Sequence, residues 1–313
     1  MPAIWIPKRL VDIGLINTAA QNPESFVRHC EIEYEFRVRA AAREVLESGC
    51  RVVMLTGPSA SGKTTTSHKL ANRIKDMGTF SCVVSLDNFY LNKEDYPRLP
   101  DGSKDYENVT ALDIPQIAKC LGEIIDKGRT MLPVFDFQTE SRKDEWQELV
   151  VGDGVVVVEG IHALNPILTE TLPRDEVFKI YAGLREEYAL KGQRSICTRD
   201  LRLARRLVRD YKYRGHSPEK TISMWKGVCD GEDKFIKVFK PEADLLLDTS
   251  FSYEICALGQ LVKEAYDSLD KNSPAYDRMA QLMVQFAPCK EISLDLIPAG
   301  SMLQEFMGSG EPV

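Results

Sequence analysis

The sequence has no long apolar run. Stretches such as Val155–Val158 last only a few residues, against the ~20 consecutive apolar residues that a bilayer-crossing helix needs. A transmembrane helix is excluded. Cysteine pairs are also missing: the eight cysteines, at 30, 50, 82, 120, 197, 229, 256 and 289, include no CxxC and stand far apart. Neither a zinc site nor a redox pair is indicated, and reduced thiols in a cytoplasmic location are expected. The opening Met1-Pro-Ala-Ile-Trp-Ile-Pro-Lys-Arg does not run from basic to apolar to small residues as a secretory signal does. Positive charge is not in excess, with 40 Lys+Arg against 47 Asp+Glu and a net charge of −7. That balance argues against bulk nucleic-acid binding and leaves local basic patches open. Repeats and low-complexity tracts are absent.

What is present is an alternation. Strand-like runs at Val52–Thr56, Cys82–Leu86, Met131–Phe135, Val155–Glu159, Val177–Tyr181 and Asp244–Asp248 are separated by helical spacing at Lys63–Met77, Asp113–Lys127, Arg199–Tyr211 and Tyr253–Leu269. Short, nearly continuous apolar strands between helices predict a parallel sheet covered on both faces, a three-layer α/β fold. A further helix over Glu31–Ser48, stopped by Gly49, feeds the first strand. Residues 1–30 have no clear period and read as an irregular lead. Two polar stretches, Asn88–Thr110 and Leu184–Thr198, exceed most connections and read as substrate loops or a lid.

The strongest local signal follows the first strand. Gly57-Pro58-Ser59-Ala60-Ser61-Gly62-Lys63-Thr64 matches GxxxxGK[ST] and opens a helix, the pattern of a phosphate cradle. Gly57 and Gly62 let the backbone curl so that successive N–H groups converge on phosphates. Lys63 reaches the outer phosphate oxygens and the Thr64 hydroxyl is a Mg²⁺ ligand. Glu159, ending the apolar run Val155–Val158, is the candidate second metal ligand, directly or through water; the alternative is a surface acid at a strand end.

Such cradles serve switches, motors and small-molecule kinases. Asn92-Lys93-Glu94-Asp95 has the NKxD spelling of a guanine reader but follows the second strand, where that class forms no base pocket. Neither a DxxG switch after a strand nor a second motor domain is visible. Asp87, in Ser85-Leu86-Asp87-Asn88-Phe89-Tyr90, instead stands at the C-terminal tip of the second strand, the ligand edge of an open parallel sheet. An aspartate there can take the proton of an attacking hydroxyl; its other reading is a turn former. Residues 191–214 carry nine Lys/Arg against two acids, Asp200 and Asp210. Arg202, Arg206 and Arg209 follow helical spacing and are expected to share a face. ATP phosphates under a closing lid suit this concentration. A nucleic-acid helix and a solvated face are the alternatives, and with only Tyr211 and Tyr213 interleaved a stacking platform is disfavoured.

Together these residues resemble the uridine kinase/phosphoribulokinase family of P-loop kinases over residues 45–270. The stretches GPSASGKTTTSHKLA, SLDNFY, VFDFQTESRK, VVVVEGIHALN, TRDLRLARRLVRDYKYRG and TISMWKGV…GEDKFI carry the match in order. The chain is especially similar to the uridine-kinase-like branch often carried behind modules resembling part of threonyl-tRNA synthetase, and Ile297-Pro-Ala-Gly-Ser-Met-Leu-Gln-Glu-Phe-Met-Gly resembles that branch's tail. The resemblance implies ATP bound by Gly57, Pro58, Ser59, Ala60, Ser61, Gly62, Lys63, Thr64 and Thr65, Asp87 as base, and Glu107 of Asp105-Tyr-Glu-Asn on ribose hydroxyls. Arg206, Arg209 and Arg214 fall on the lid arginines. The chain departs from the uridine kinases at Phe135 and Glu140, where Tyr and His would read the pyrimidine edge, and at His216, where those enzymes have arginine. A phenyl ring stacks but makes no hydrogen bond.

Around this site, Phe89, Tyr90 and Phe135 either wall an acceptor pocket or belong to the core. Asp136 and Arg142 either assist the acceptor or pair with each other. His162 is expected to make local hydrogen bonds, and Trp225 to pack the helix after the lid. The expectation is an enzyme using ATP and Mg²⁺ to phosphorylate a primary hydroxyl of a small molecule, foremost a nucleoside 5′-OH. Asp87, Lys63, Arg206 and Arg209 would be catalytic, and Tyr90, Glu107, Phe135, Arg142 and Arg214 would meet the acceptor. A kinase of a non-nucleoside alcohol or sugar phosphate, and an RNA-associated ATP-binding module, are the alternatives. The expected layout is an N-terminal extension at 1–40, a P-loop kinase domain with a helical lid at 41–270 and a helical tail packed on it at 271–313. Homo-oligomerisation is left open.

Overall fold

The computed structural model describes residues 7–308 apart from 99, 101, 106, 137 and 138. Tyr106, Phe137 and Gln138 of the motifs above, and the outermost residues of the expected extension and tail, lie outside the described residues. β1 (Arg9–Asp12) leads into α1 (Ile13–Ala19), whose cap is the Asp12 carboxylate accepting from Gly14 N at 2.7 Å. α2 (Pro23–Ser48) has Asn22 as cap and proline in its first turn, and it buries one stripe that includes Val27, Tyr34, Val38 and Val45. The expected irregular lead is therefore regular structure, and a boundary at residue 40 falls inside α2. The buried stripe continues upstream of Glu31 through Val27 and Cys30, whereas Ile32 and Phe36 of the expected apolar face are exposed.

Next come β2 (Val52–Thr56), α3 (Lys63–Asp76), β3 (Ser81–Ser85), α4 (Ile114–Lys127), β4 (Arg129–Asp136), β5 (Ser141–Val150), β6 (Val155–Glu159) and β7 (Val177–Gly183). They are followed by β8 (Glu186–Leu190), β9 (Gln193–Ile196), α5 (Thr198–Tyr213), α6 (Pro218–Phe235), β10 (Leu245–Asp248), α7 (Glu254–Asp267), α8 (Tyr276–Phe286) and the single turn α9 (Gln304–Met307). The central sheet has the order β10-β7-β2-β6-β3 with every pairing parallel. β2 and β6 are buried along their whole length because helices cover both faces. This is the three-layer α/β arrangement of a P-loop fold.

Two expectations about strands need correcting. The Met131–Phe135 run belongs to β4, which leaves the central sheet and pairs antiparallel with β5. β5 is almost entirely polar and solvent-facing, so no apolar signal marks it. The Leu184–Thr198 stretch is not an open lid loop: it forms the β8–β9 hairpin, with β1 added parallel to β8 and Tyr188 fully buried beneath. The partner strand comes from the far N-terminus, a pairing that no local pattern encodes.

Position within the fold comes largely from α5. The Arg205 guanidinium, 0% exposed, donates to both Glu254 oxygens at 2.6 and 2.9 Å, to the Thr249 carbonyl at 3.0 Å and to the Ala60 carbonyl at 3.4 Å. Arg202 meets Glu232 at 2.7 Å and lies over the Trp225 ring, which packs α6 against α5. At the other end of the chain, α8 packs on α7, and the segment beyond it buries Met302, Leu303 and Phe306. A lone buried charge is far costlier than a pair, so Glu254→Ala is expected to lower the unfolding free energy by about 3–5 kcal/mol in urea titrations. The double replacement Arg205→Met/Glu254→Leu should recover most of that loss.

Candidate active site

The cradle is shaped by sterics at two glycines. A Cβ on Gly57 would stand 2.3 Å from the Ala182 carbonyl oxygen and 2.4 Å from Ser61 Oγ, so the chain can leave β2 only as glycine. Gly62 has φ +80°, and Ala60 also sits in the left-handed region at φ 58°. These turns bring N–H groups round to the start of α3, where the helix's own free N–H groups add to them. Beside them opens a cleft of about 570 Å³ that brings together Ser59, Ala60, Gly62, Lys63, Thr64, Asp87, Glu159, Arg206, Arg209 and Arg214. Gly57, Pro58, Ser61 and Thr65 do not face it; Ser61 Oγ is buried with no hydrogen-bond partner among the described residues.

The acids come from the strand tips, as a parallel sheet dictates. Glu159, on β6 in register with Leu55 of β2, is 5% exposed; its Oε1 accepts from Ser85 Oγ at 2.9 Å and its Oε2 from Thr64 Oγ1 at 3.5 Å. Burial pushes its carboxyl above the usual range, Lys63 opposes this, and Asp87 adds to it. Asp87 lies in the turn Leu86–Phe89 after β3, with its N–H directed to Ser85 Oγ. Its carboxylate faces the cleft water but is crowded by protein on its other sides, which raises its pKa against the pull of Lys63. Thr64, Glu159 and Asp87 offer hard oxygen donors, few in number, as Mg²⁺ accepts when waters and phosphate supply the rest. The donor set and the cradle fit a Mg²⁺-bearing nucleotide.

The basic helix does not present a single arginine face. Arg206 donates to Ser59 Oγ at 2.9 Å and, through Nε, to Asp210 at 3.2 Å; Arg209 meets Asp210 at 3.0 Å and Arg214 lies 3.9 Å from it. Asp210, 1% exposed, thus gathers the three cleft arginines, a role its place in a basic run does not reveal. Arg202 turns to Glu232 and the Ser59 carbonyl instead. Arg202, Arg206 and Arg209 are largely buried and paired, whereas Arg214 at the end of the helix stays exposed.

On the acceptor side the residues are near but not in the cleft. The Tyr90 ring packs between Tyr96 and Phe135, each at 5.9 Å, and its hydroxyl pKa is raised by burial and then by Asp87 and Glu107. Phe135 is core. Arg142 pairs with Asp113 at 2.8 Å, rather than with Asp136, and donates to the Tyr90 and Phe89 carbonyls at 3.0 and 3.1 Å; it props this wall from behind. Glu107 packs at Gly231, where burial raises its pKa and Arg206 and Lys63 draw it down. His162, expected to be hydrogen-bonded, has no partner for either ring nitrogen among the described residues; burial holds its pKa down at about 4.

One residue at the site was invisible to motif analysis. Glu305, on α9, accepts from Thr65 Oγ1 at 2.7 Å and Thr65 N at 3.4 Å, while Met302 lies against Gly62 and Tyr213 ties down the Met307 carbonyl at 2.7 Å. The C-terminal segment thus sets a carboxylate on the first turn of α3, where phosphate charge is otherwise favoured. Only its identity as an acid near the chain end was available from sequence.

A P-loop cradle, strand-tip acids and a paired arginine helix define a P-loop kinase. The profile of the Phosphoribulokinase / Uridine kinase family matches residues 52–181 and 195–254. The uridine kinase of Saccharomyces cerevisiae is 29% identical over 226 residues, 71% of this chain and 41% of that protein, so the chain spans less than half of that relative's length. The uridine kinase of Lactobacillus helveticus is 27% identical over 197 residues, 63% of this chain and 85% of that protein. The solved structure of a possible uridine kinase from Bacillus stearothermophilus superposes with a TM-score of 0.47 at 16% identity, covering 69% of this chain and 100% of that one. The chain belongs to the phosphoribulokinase/uridine kinase family.

Glu305 lines the cleft and holds the Thr65 donors at the start of α3, so the phosphate of a bound nucleotide would meet a like charge there. Glu305→Gln is therefore expected to tighten ADP binding about fivefold, a change of about 1 kcal/mol. Isothermal titration checks it; weaker binding would show that the carboxylate supports the cradle rather than competing with phosphate.

Proposed function

We propose that this protein is an ATP-dependent phosphotransferase that moves the γ-phosphate to a primary hydroxyl of a small molecule, with a nucleoside 5′-OH as the foremost acceptor. The observation that carries this reading is that Asp87 and Lys63 look into one cleft, near enough for Lys63 to be the charge that opposes the rise in the Asp87 pKa. Asp87 accepts the hydroxyl proton as the alcohol attacks phosphorus. Lys63, Arg206, Arg209 and Arg214 neutralise the charge that spreads over the transferring group. Asp210 holds those arginines in place, so little reorganisation is needed. Thr64 and Glu159 would hold Mg²⁺, which supplies further charge neutralisation when bound. Gly57 to Thr65 seat the nucleotide, and Tyr90 with Glu107 bounds the acceptor side.

A second reading, a kinase of a non-nucleoside alcohol or sugar phosphate, is favoured by two observations. Phe135 is buried without a polar edge, and Glu140 is ion-paired with Lys104 at 2.9 Å. A cytoplasmic location is supported by eight free cysteines, the state a reducing compartment maintains.

Acceptor-dependent ADP release, screened over nucleosides, sugars and polyols, separates the two readings: a response confined to nucleosides supports the first. With the acceptor found, Asp87→Asn should lower kcat by about 10²–10⁴ while leaving the KM for ATP within a small factor. Turnover close to wild type would remove Asp87 from the role of base. Because only the ionised carboxylate accepts a proton, and its pKa is raised, kcat/KM should fall on acidification at a higher pH than an ordinary aspartate would give. That limb should be lost in Asp87→Asn.

A further inference from the structure

An anion already rests on the cradle, and it is the protein's own. The Glu305 carboxylate takes two donors at the third residue of α3, Thr65 Oγ1 at 2.7 Å and Thr65 N at 3.4 Å. The second of these is one of the helix's free first-turn N–H groups, the kind of donor that a phosphate uses. The backbone that carries Glu305 is held firmly. Met302, Leu303 and Phe306 are fully buried, Phe306 lies under the Arg205 guanidinium at 5.1 Å, and Tyr213 holds the Met307 carbonyl at 2.7 Å. The part able to yield is the Glu305 side chain, by rotation about its own bonds.

The end of α5 supplies its other partner. α9 packs on α5, and the Tyr213 bond sets the last turn of that helix beside the tail. Arg214 follows Tyr213 and lines the same cleft as Glu305. The three cleft arginines all meet Asp210, but unequally: Arg209 at 3.0 Å and Arg206 at 3.2 Å are largely buried, whereas Arg214 stands 3.9 Å away with its side chain 52% exposed. Desolvation on its protein side and then Arg209 lower the Arg214 pKa, while Asp210 and Glu305 oppose this. Glu305 is therefore near enough to stabilise the Arg214 charge while its hydrogen bonds go to Thr65.

We propose that Glu305 is a positioning residue that changes partner: when a nucleotide phosphate reaches the start of α3, the carboxylate leaves Thr65 and pairs with Arg214, fixing the loosest of the cleft arginines. The proposal rests on the nucleotide-binding reading above. The exchange leaves every charge partnered, since the phosphate takes the Thr65 donors and the carboxylate takes the forked donors of a guanidinium. A carboxylate pushed off Thr65 with nowhere to go would weaken nucleotide binding instead.

The test is ADP binding in the presence of Mg²⁺, by isothermal titration, to the full chain and to Arg214→Gln, Glu305→Gln and the double variant. Arg214→Gln is expected to weaken binding about fivefold in the wild-type background, where the displaced carboxylate loses its new partner, and about twofold or less in Glu305→Gln, where no charge is displaced. Urea titrations of the same four proteins without nucleotide separate the exchange from a static ion pair: little coupling between the two positions is expected in the free protein. An equal loss in both backgrounds would make Arg214 a direct phosphate contact and overturn the proposal. No loss in the wild-type background, or an equally large coupling without nucleotide, would overturn it too. Failure of the wild-type protein to bind ADP would remove the nucleotide reading as well, whereas binding with additive losses removes the partner exchange alone.

Discussion

The architecture of the site depends on one buried ion pair. Arg205 brings α5, the start of α7, the loop after β10 and the back of the P-loop to a single point, through Glu254, Thr249 and Ala60. Desolvating two charges is expensive, so a pair of this kind is weak evidence for added stability. Its role here is positional. With Arg205 locked, helix phase carries the next residue, Arg206, and Arg209 one turn on to the cleft side, and Arg202 one turn back to Glu232. The P-loop is held from behind by guanidinium groups while its N–H groups stay directed forward.

The same logic explains how an acidic protein makes a cationic cleft. Net charge is a property of the whole surface, whereas the local field depends on which charges are paired. Asp210, Glu232 and Glu254 are almost wholly buried and spend their charge on single arginines or small groups of them. Arg206 and Arg209 are thereby fixed rather than solvated, so the field they set up at the cleft is preorganised. On the other wall Glu159 is buried and Asp87 faces the cleft water with protein crowded on its other sides; desolvation raises both carboxyls toward the neutral form and Lys63 opposes it. The cleft is poised between these two sets of charges, with the Glu305 carboxylate set against its phosphate end.

Several features were legible from residue order because they are local. The strand, GxxxxGK[ST] and helix succession needs only contiguous residues, and β2, α3, β3, β6 and β10 fall close to where apolar runs and helical spacing put them. Asp87 and Glu159 could be found because strand tips in a parallel sheet share one edge. Arg202 could not be separated from Arg206 and Arg209, since spacing tells which residues share a helix face and not which buried acid captures them. Arg142 looked like a substrate contact for the same reason: its partner Asp113 lies on another element.

By itself, the amino-acid order determined the phosphate cradle, the parallel α/β class and the tip acids, since each follows from steric and periodic rules acting over a few neighbouring residues. Only the tertiary structure decided that the N-terminal strand completes the β8–β9 hairpin, that Glu305 returns to Thr65, and that Arg205 meets Glu254. These contacts join segments far apart in the chain. Burial, which sets the charge and partner of each such group, exists only once the whole chain has closed around it.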